Sequence, residues 1–243
     1  MLGDNIHDEG DPNDFDLKFK NVYRNLMADG VRFHAVLVNH DRIHPASRRG
    51  LAQVDDEAFG DVGKVDEYVL AAGPKVSTGR RLAHFICLNS DAWVEAIRKD
   101  RELELRFRLR RLRGWLAYAD RYRWNILDAH HPLYSYTKKP FWGLVSRGHG
   151  PSLELSAVLE PELVGRVDVC LAGHEHFYQK IRPQKGIHYM ISGGAGKLRK
   201  GFLTDHPRSS SRPSRITSWT SCCPSIPSAI KPSTARGVRF TRE

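Results

Sequence analysis

Three short apolar runs in this chain each end in a polar, histidine-bearing cluster, and that repeated pairing limits the folds open to it. Phe33–Val38 leads into Asn39-His40-Asp41, Trp124–Leu127 into His130-His131-Pro132, and Val167–Leu171 into Gly173-His174-Glu175-His176. Each run reads as a buried strand, as does Arg81–Leu88. Helix-like patterns lie between them. Phe15, Phe19, Val22, Tyr23 and Leu26 form a helical stripe, with Asp14 as its cap and its end near Gly30. Residues 100–120 give the longest helix, with Leu105, Leu109, Leu112 and Leu116 on one face and arginines on the others. Residues 154–164 give another. Phe177–Ile181 and Ile187–Ser192 bracket Arg182–Gly186 as a hairpin. Alternation of this kind predicts an α/β (α+β) chain. In such sheets ligands and metals collect at the carboxyl ends of strands, where the three clusters are able to meet.

The chemistry of the clusters is that of a metal site. Histidines two apart in an extended turn can aim imidazoles at neighbouring ions, but with twelve histidines in the chain the His174-x-His176 pattern alone is weak. Gly3-Asp4-Asn5 adds a carboxylate suited to bridging two cations, Asn39-His40 an amide oxygen and an imidazole, and His130 another imidazole. Each has an ordinary reading too: a solvated terminal acid, a polar turn, a satisfied core histidine. Mixed oxygen and nitrogen donors suit Fe, Mn or Zn better than Ca or Mg.

The series GDN, NHD, AHHPLYS and AGHEHFYQ, followed by SGGAGK, resembles the calcineurin-like metallophosphoesterase superfamily, nearest to the tartrate-resistant purple acid phosphatase branch, over Gly3–Gly201. The resemblance implies a four-layer αββα sandwich with two mixed sheets. It implies two transition metals, Fe, Mn or Zn. Asp4 bridges them, Asn39, His130 and His174 complete one shell, and His176 serves the other. It further implies a metal-bound hydroxide attacking phosphorus in line, with His40 assisting the leaving group of a phosphomonoester or phosphodiester. His131 and Tyr134 follow the His130 motif and are candidates to touch the substrate.

The sequence departs from that pattern in three places. The acidic motif expected one strand upstream of Gly3 is not in this sequence, so the fold is expected to lack its first strand and one metal site to be incomplete. His7 stands where the branch has a tyrosine ligand, and is either a ligand or a surface residue. Val38 replaces the glycine before Asn-His-Asp, which predicts strain there if positive φ is required. These departures keep a catalytically impaired relative, binding one metal, as an alternative.

Composition separates the remaining classes. The 243 residues suit one domain, assigned to 1–204, with 205–243 as a Ser/Pro/Arg-rich tail, disordered or out of frame. The net charge of +10 raises a basic nucleic-acid-binding alternative, weakened because the excess is local to the tail and to Arg98–Arg123 and ranked last because no aromatic platform interleaves with the arginines. No run approaches the roughly 18 apolar residues of a membrane span, so no membrane partner is expected. Neither the compartment nor the oligomeric state is legible. Cys87 and Cys170 read as small buried thiols, and Cys222-Cys223 fits no metal-ligand spacing.

Overall fold

The computed structural model describes residues 1–6, 9–36, 38, 40–42, 67–136, 149 and 151–194. The expected tail at 205–243 lies outside them, as do Cys222 and Cys223. Six strands make one mixed sheet: β1 (Tyr68–Lys75), β2 (Arg81–Leu88), β3 (Tyr122–Ala129), β4 (Val169–Ala172), β5 (Tyr178–Gln184) and β6 (Ile187–Ser192). Their order is β1-β2-β3-β4-β6-β5. The pairs β2/β3, β3/β4 and β4/β6 are parallel, and β1/β2 and β5/β6 are antiparallel hairpins at the two edges. The carboxyl ends of β2, β3, β4 and β6 therefore share one edge of the molecule. This is the expected α/β class, a mixed sheet flanked by helices.

Side-chain alternation divides the sheet into two faces. Ile86 and Leu88 of β2, Leu127 of β3, Cys170 and Ala172 of β4, and Ile187, Tyr189 and Ile191 of β6 point into the main core. Helices α2 (Ser90–Arg98), α3 (Glu102–Leu116) and α4 (Leu153–Leu163) cover that face with Trp93, Leu112, Leu116, Leu155, Leu159 and Leu163, all buried. Each such leucine contributes about 1.5–3 kcal/mol by leaving water. Cys87 points to the opposite face, where it packs with Val36, Tyr68 and Leu70. Both Cys87 and Cys170 are buried and unbridged, as expected of small apolar thiols.

The first 42 residues build a separate small core of Ile6, Phe15, Phe19 and Ala35, with Phe15 stacked on Phe19 at 5.1 Å. The expected single helix is here a chain of short pieces. A 3-10 turn (Pro12–Asp14), capped by Asp11 and not Asp14, is followed by a π-helical turn (Asp16–Lys20) and then by α1 (Asn21–Ala28). The π turn advances the helix phase, so Val22 and Leu26 face solvent at 62% and 45% exposure instead of joining the stripe.

The strand expected at Phe33–Val38 does not form among the described residues. Among the described residues its backbone pairs with Met1: Val36 N donates to Met1 O at 3.1 Å, and the Met1 amine donates to His34 O. The second sheet implied by the resemblance is likewise not formed among the described residues. No described helix is long and apolar enough to cross a membrane.

Candidate metal centre

Four loops meet at the carboxyl edge of the sheet. His130 directly follows β3, Gly173-His174 follows β4, Ser90 follows β2, and the Gly3-Asp4 turn comes from the N-terminal segment. His130 is fully buried. Its Nδ1 lies 2.8 Å from Leu2 O; a carbonyl only accepts, so Nδ1 carries the proton. The opposite nitrogen, Nε2, faces Asp4 Oδ2 at 3.3 Å and His174 Nδ1 at 3.1 Å. Ligand atoms of Asp4, His130 and His174 all lie within 4.8 Å of one another. A ring held by a carbonyl behind it and presenting its other nitrogen to a carboxylate and a second imidazole is the arrangement found around metal-bound histidines. The donor set, one carboxylate oxygen and two imidazole nitrogens, fits Fe, Mn or Zn.

Electrostatics agree with that geometry. Burial opposes charge on His130, yet the Asp4 carboxylate and the Leu2 carbonyl more than offset it and raise its pKa. His174 is pushed down to about 2, by burial first and then by His130, His131 and His149, so its nitrogens stay neutral. The pocket thus holds one carboxylate that favours a positive neighbour and imidazoles ready to donate lone pairs.

The backbone is shaped for this convergence. Asp4 has φ +50° and His174 φ +64°. His174 is the centre of a three-residue turn in which Glu175 N donates to Gly173 O at 2.7 Å, the strained sense of that turn. Glycines flank the His130 ring. A Cβ on Gly3 would fall 2.8 Å from His130 Nδ1 and 2.5 Å from Val38 Cγ2, and one on Gly173 would fall 2.7 Å from Leu2 O. Val38 is buried and is not among the described residues with positive φ, so the expected strain does not fall there. Gly3 supplies the room that Val38 occupies.

Asp41 organises the adjoining turn, and residue-by-residue reading missed it. It is fully buried. Its carboxylate accepts from Asn5 N (2.7 Å), Ile6 N (3.2 Å), Val38 N (3.2 Å) and Asn5 Nδ2 (3.3 Å). The loop bearing Asp4 is thereby tied to the turn His40–Arg42. His149 was also missed. Its ring lies 4.3 Å from that of His174, and its setting between glycines, ahead of a helix, was the available signal.

The remaining sequence candidates are placed as follows. His131 tilts over His174 with centroids 4.6 Å apart, and burial, followed by His130 and Arg98, holds it down to about 4. His176 is buried but does not join the three-residue cluster. His40 is half-buried in its turn. Asn39 and His7 lie outside the described residues. The Tyr134 hydroxyl donates to Glu160 Oε1 at 2.5 Å and its ring packs on Tyr189 at 4.7 Å.

Comparison with known proteins follows the same line. Tartrate-resistant acid phosphatase type 5 of Oryctolagus cuniculus is 26% identical over 225 residues, covering 86% of this chain. The chain spans 63% of that relative's length. Among solved structures, a protein described as GAP50, the anchor in the inner membrane complex of Plasmodium, superposes with a TM-score of 0.53 at 18% identity, over 80% of this chain and 60% of its own. A dimetal phosphatase from Danio rerio superposes with a TM-score of 0.52 at 17% identity, over 81% of this chain and 72% of its own. The family model for calcineurin-like phosphoesterases matches residues 1–178, and the chain belongs to that family.

Proposed function

We propose that this chain is a metal-dependent phosphoric ester hydrolase acting on a phosphomonoester or phosphodiester, with a centre for two transition metals of the Fe, Mn or Zn type. The observation that carries this reading is the convergence of Asp4, His130 and His174, three residues from distant parts of the chain, on one buried point. Fold alone does not carry it, because the same architecture occurs in a protein described as an anchor.

Bound ions would supply Lewis-acid chemistry, drawing charge from phosphoryl oxygens and acidifying a water. The chain's own residues supply the rest. Asp4 would hold the ions with its carboxylate. Asn39, His130, His174, His176 and His7 would supply the further donors. His131, kept neutral, offers a hydrogen bond to the phosphate. His40 moves a proton at the leaving oxygen, and Asp41 holds its turn beside Asp4. The arginines of α3 do not favour a nucleic-acid role. Arg106, Arg108, Arg111 and Arg113 each have a carboxylate partner within the fold.

The test is metal analysis of the purified chain together with hydrolysis of an aryl phosphate in added Mn, Fe or Zn. Bound metal with turnover, reduced about 10²–10⁴-fold in His40→Ala, supports the hydrolase. One metal per chain without turnover points to an impaired relative. No bound transition metal and no hydrolysis refute the reading.

A further inference from the structure

Ser90 opens α2 directly after β2, with its side chain buried. Its Oγ accepts the backbone N–H of His130 at 3.1 Å and of His131 at 3.0 Å. A hydroxyl has two lone pairs and one proton, and both lone pairs are used. The third contact, 2.9 Å to His131 Nδ1, therefore uses the hydroxyl proton, and Nδ1 accepts. In neutral His131 the ring proton then sits on Nε2, on the side of Asp91 Oδ1, 3.7 Å away. Ser90, His131 and Asp91 are the residue types of a hydrolytic triad, but a serine oxygen saturated by two amides is not poised as a nucleophile.

We propose that Ser90 is a positioning residue of the metal centre. It pins the turn leaving β3 that aims His130, and it locks His131 as the Nε2–H tautomer. Nδ1 of His131 is thereby withheld from any metal, and Nε2–H is presented as a donor to a phosphate oxygen. The functional half of this rests on the metal-centre reading, whereas the tautomer does not.

The experiment combines two readouts on the full chain. Two-dimensional ¹⁵N–¹H correlation of the histidine side chains, recorded with chelator and with Zn, reports which nitrogen of His131 is protonated. Titration with Zn or Mn reports affinity. The expected result is Nε2 protonated in the wild type under both conditions. In Ser90→Ala that preference should be lost and metal affinity should fall about ten- to a hundredfold, and Ser90→Thr should restore both. A general packing defect would not move the tautomer. His131 protonated at Nδ1 in a metal-binding wild-type chain overturns the lock while leaving the hydrolase reading intact. A wild-type chain that binds no metal overturns the hydrolase reading and the positioning role together. Should Ser90→Ala fail to fold, the wild-type spectrum and the Ser90→Thr affinity decide.

Discussion

At the scale of single residues, two of the three clustered candidate ligands occupy backbone that L side chains resist. Positive φ at Asp4 and His174 is retained because Gly3, Gly173 and Asp41 leave the loops little alternative. Relief of that resistance is measurable. In chelator-treated protein, His174→Gly should be about 1 kcal/mol more stable than His174→Ala, since only the glycine accepts φ +64° without penalty, with part of the gain returned through unfolded-chain entropy. Urea titration of the two variants checks this, and equal stabilities would show that the turn holds no strain. Asp41 gives a second case. Its carboxylate takes four N–H contacts, so Asp41→Ala should lose about 2–3 kcal/mol, and Asp41→Asn less, since one oxygen remains. A loss below 1 kcal/mol for the alanine variant in thermal melts would contradict its organising role. His130 and His174 were legible because each follows a recognisable strand. Asp41 and Ser90 were not, because most of their value lies in partners more than 30 residues away, which no local pattern encodes.

Elements were legible where periodicity was strong and illegible where it was short or broken. The leucine stripe of α3 located that helix, and β2 matches its apolar run residue for residue. By contrast β1 is not among the expected strands, because Gly73 and Pro74 interrupt its pattern near an irregular step in the ladder. Helix α2 was missed because it is only nine residues long, capped by Asn89 accepting from Ala92 N. What joins these two unread elements is also a charge with a pH signature. Glu67, just before β1, accepts from Trp93 Nε1 of α2 at 2.5 Å and from Arg108 of α3 at 3.0 Å. Burial raises its pKa, and Arg108, Trp93 and Arg111 oppose that only in part. Between the ordinary value of 4.5 and the raised one, the folded chain keeps a proton the unfolded chain has lost. The contribution of Glu67 is thus full below that window and declines as pH rises through it. Glu67→Gln keeps an acceptor for Trp93 and removes the titration. The stability of the wild type relative to Glu67→Gln should fall as pH climbs through the window, and a difference that grows with pH in paired thermal melts would reverse this assignment.

Across the whole molecule, the described residues include a sheet core and a small N-terminal core, and the candidate metal centre lies at their junction. The sheet core is large and continuous, from Ile86 and Trp93 through Leu163 to Ile191. The N-terminal core has four buried members. Between the two run the apolar contact of Val36 with Tyr68, Leu70 and Cys87 and a few polar contacts: His130 to Leu2 O and to Asp4, and Tyr68 Oη donating to Ala35 O at 2.8 Å. A cluster that size holds little free energy by itself, so opening of residues 1–42 should lie well below global unfolding. An ion shared by Asp4 with His130 and His174 binds only when both cores are docked. At a hundredfold excess over its dissociation constant such an ion adds about 2.7 kcal/mol to the docked state. Hydrogen exchange followed by mass spectrometry should therefore show residues 9–36 exchanging ahead of β2, β3 and β4 in chelator. On addition of Mn or Zn, protection in the N-terminal segment should rise about a hundredfold while that of the sheet changes little. Asp4→Ala should abolish the metal-dependent part and leave sheet protection as it was. Uniform protection of both segments, indifferent to metal, would mean that the two cores unfold as one and that the centre does not join them.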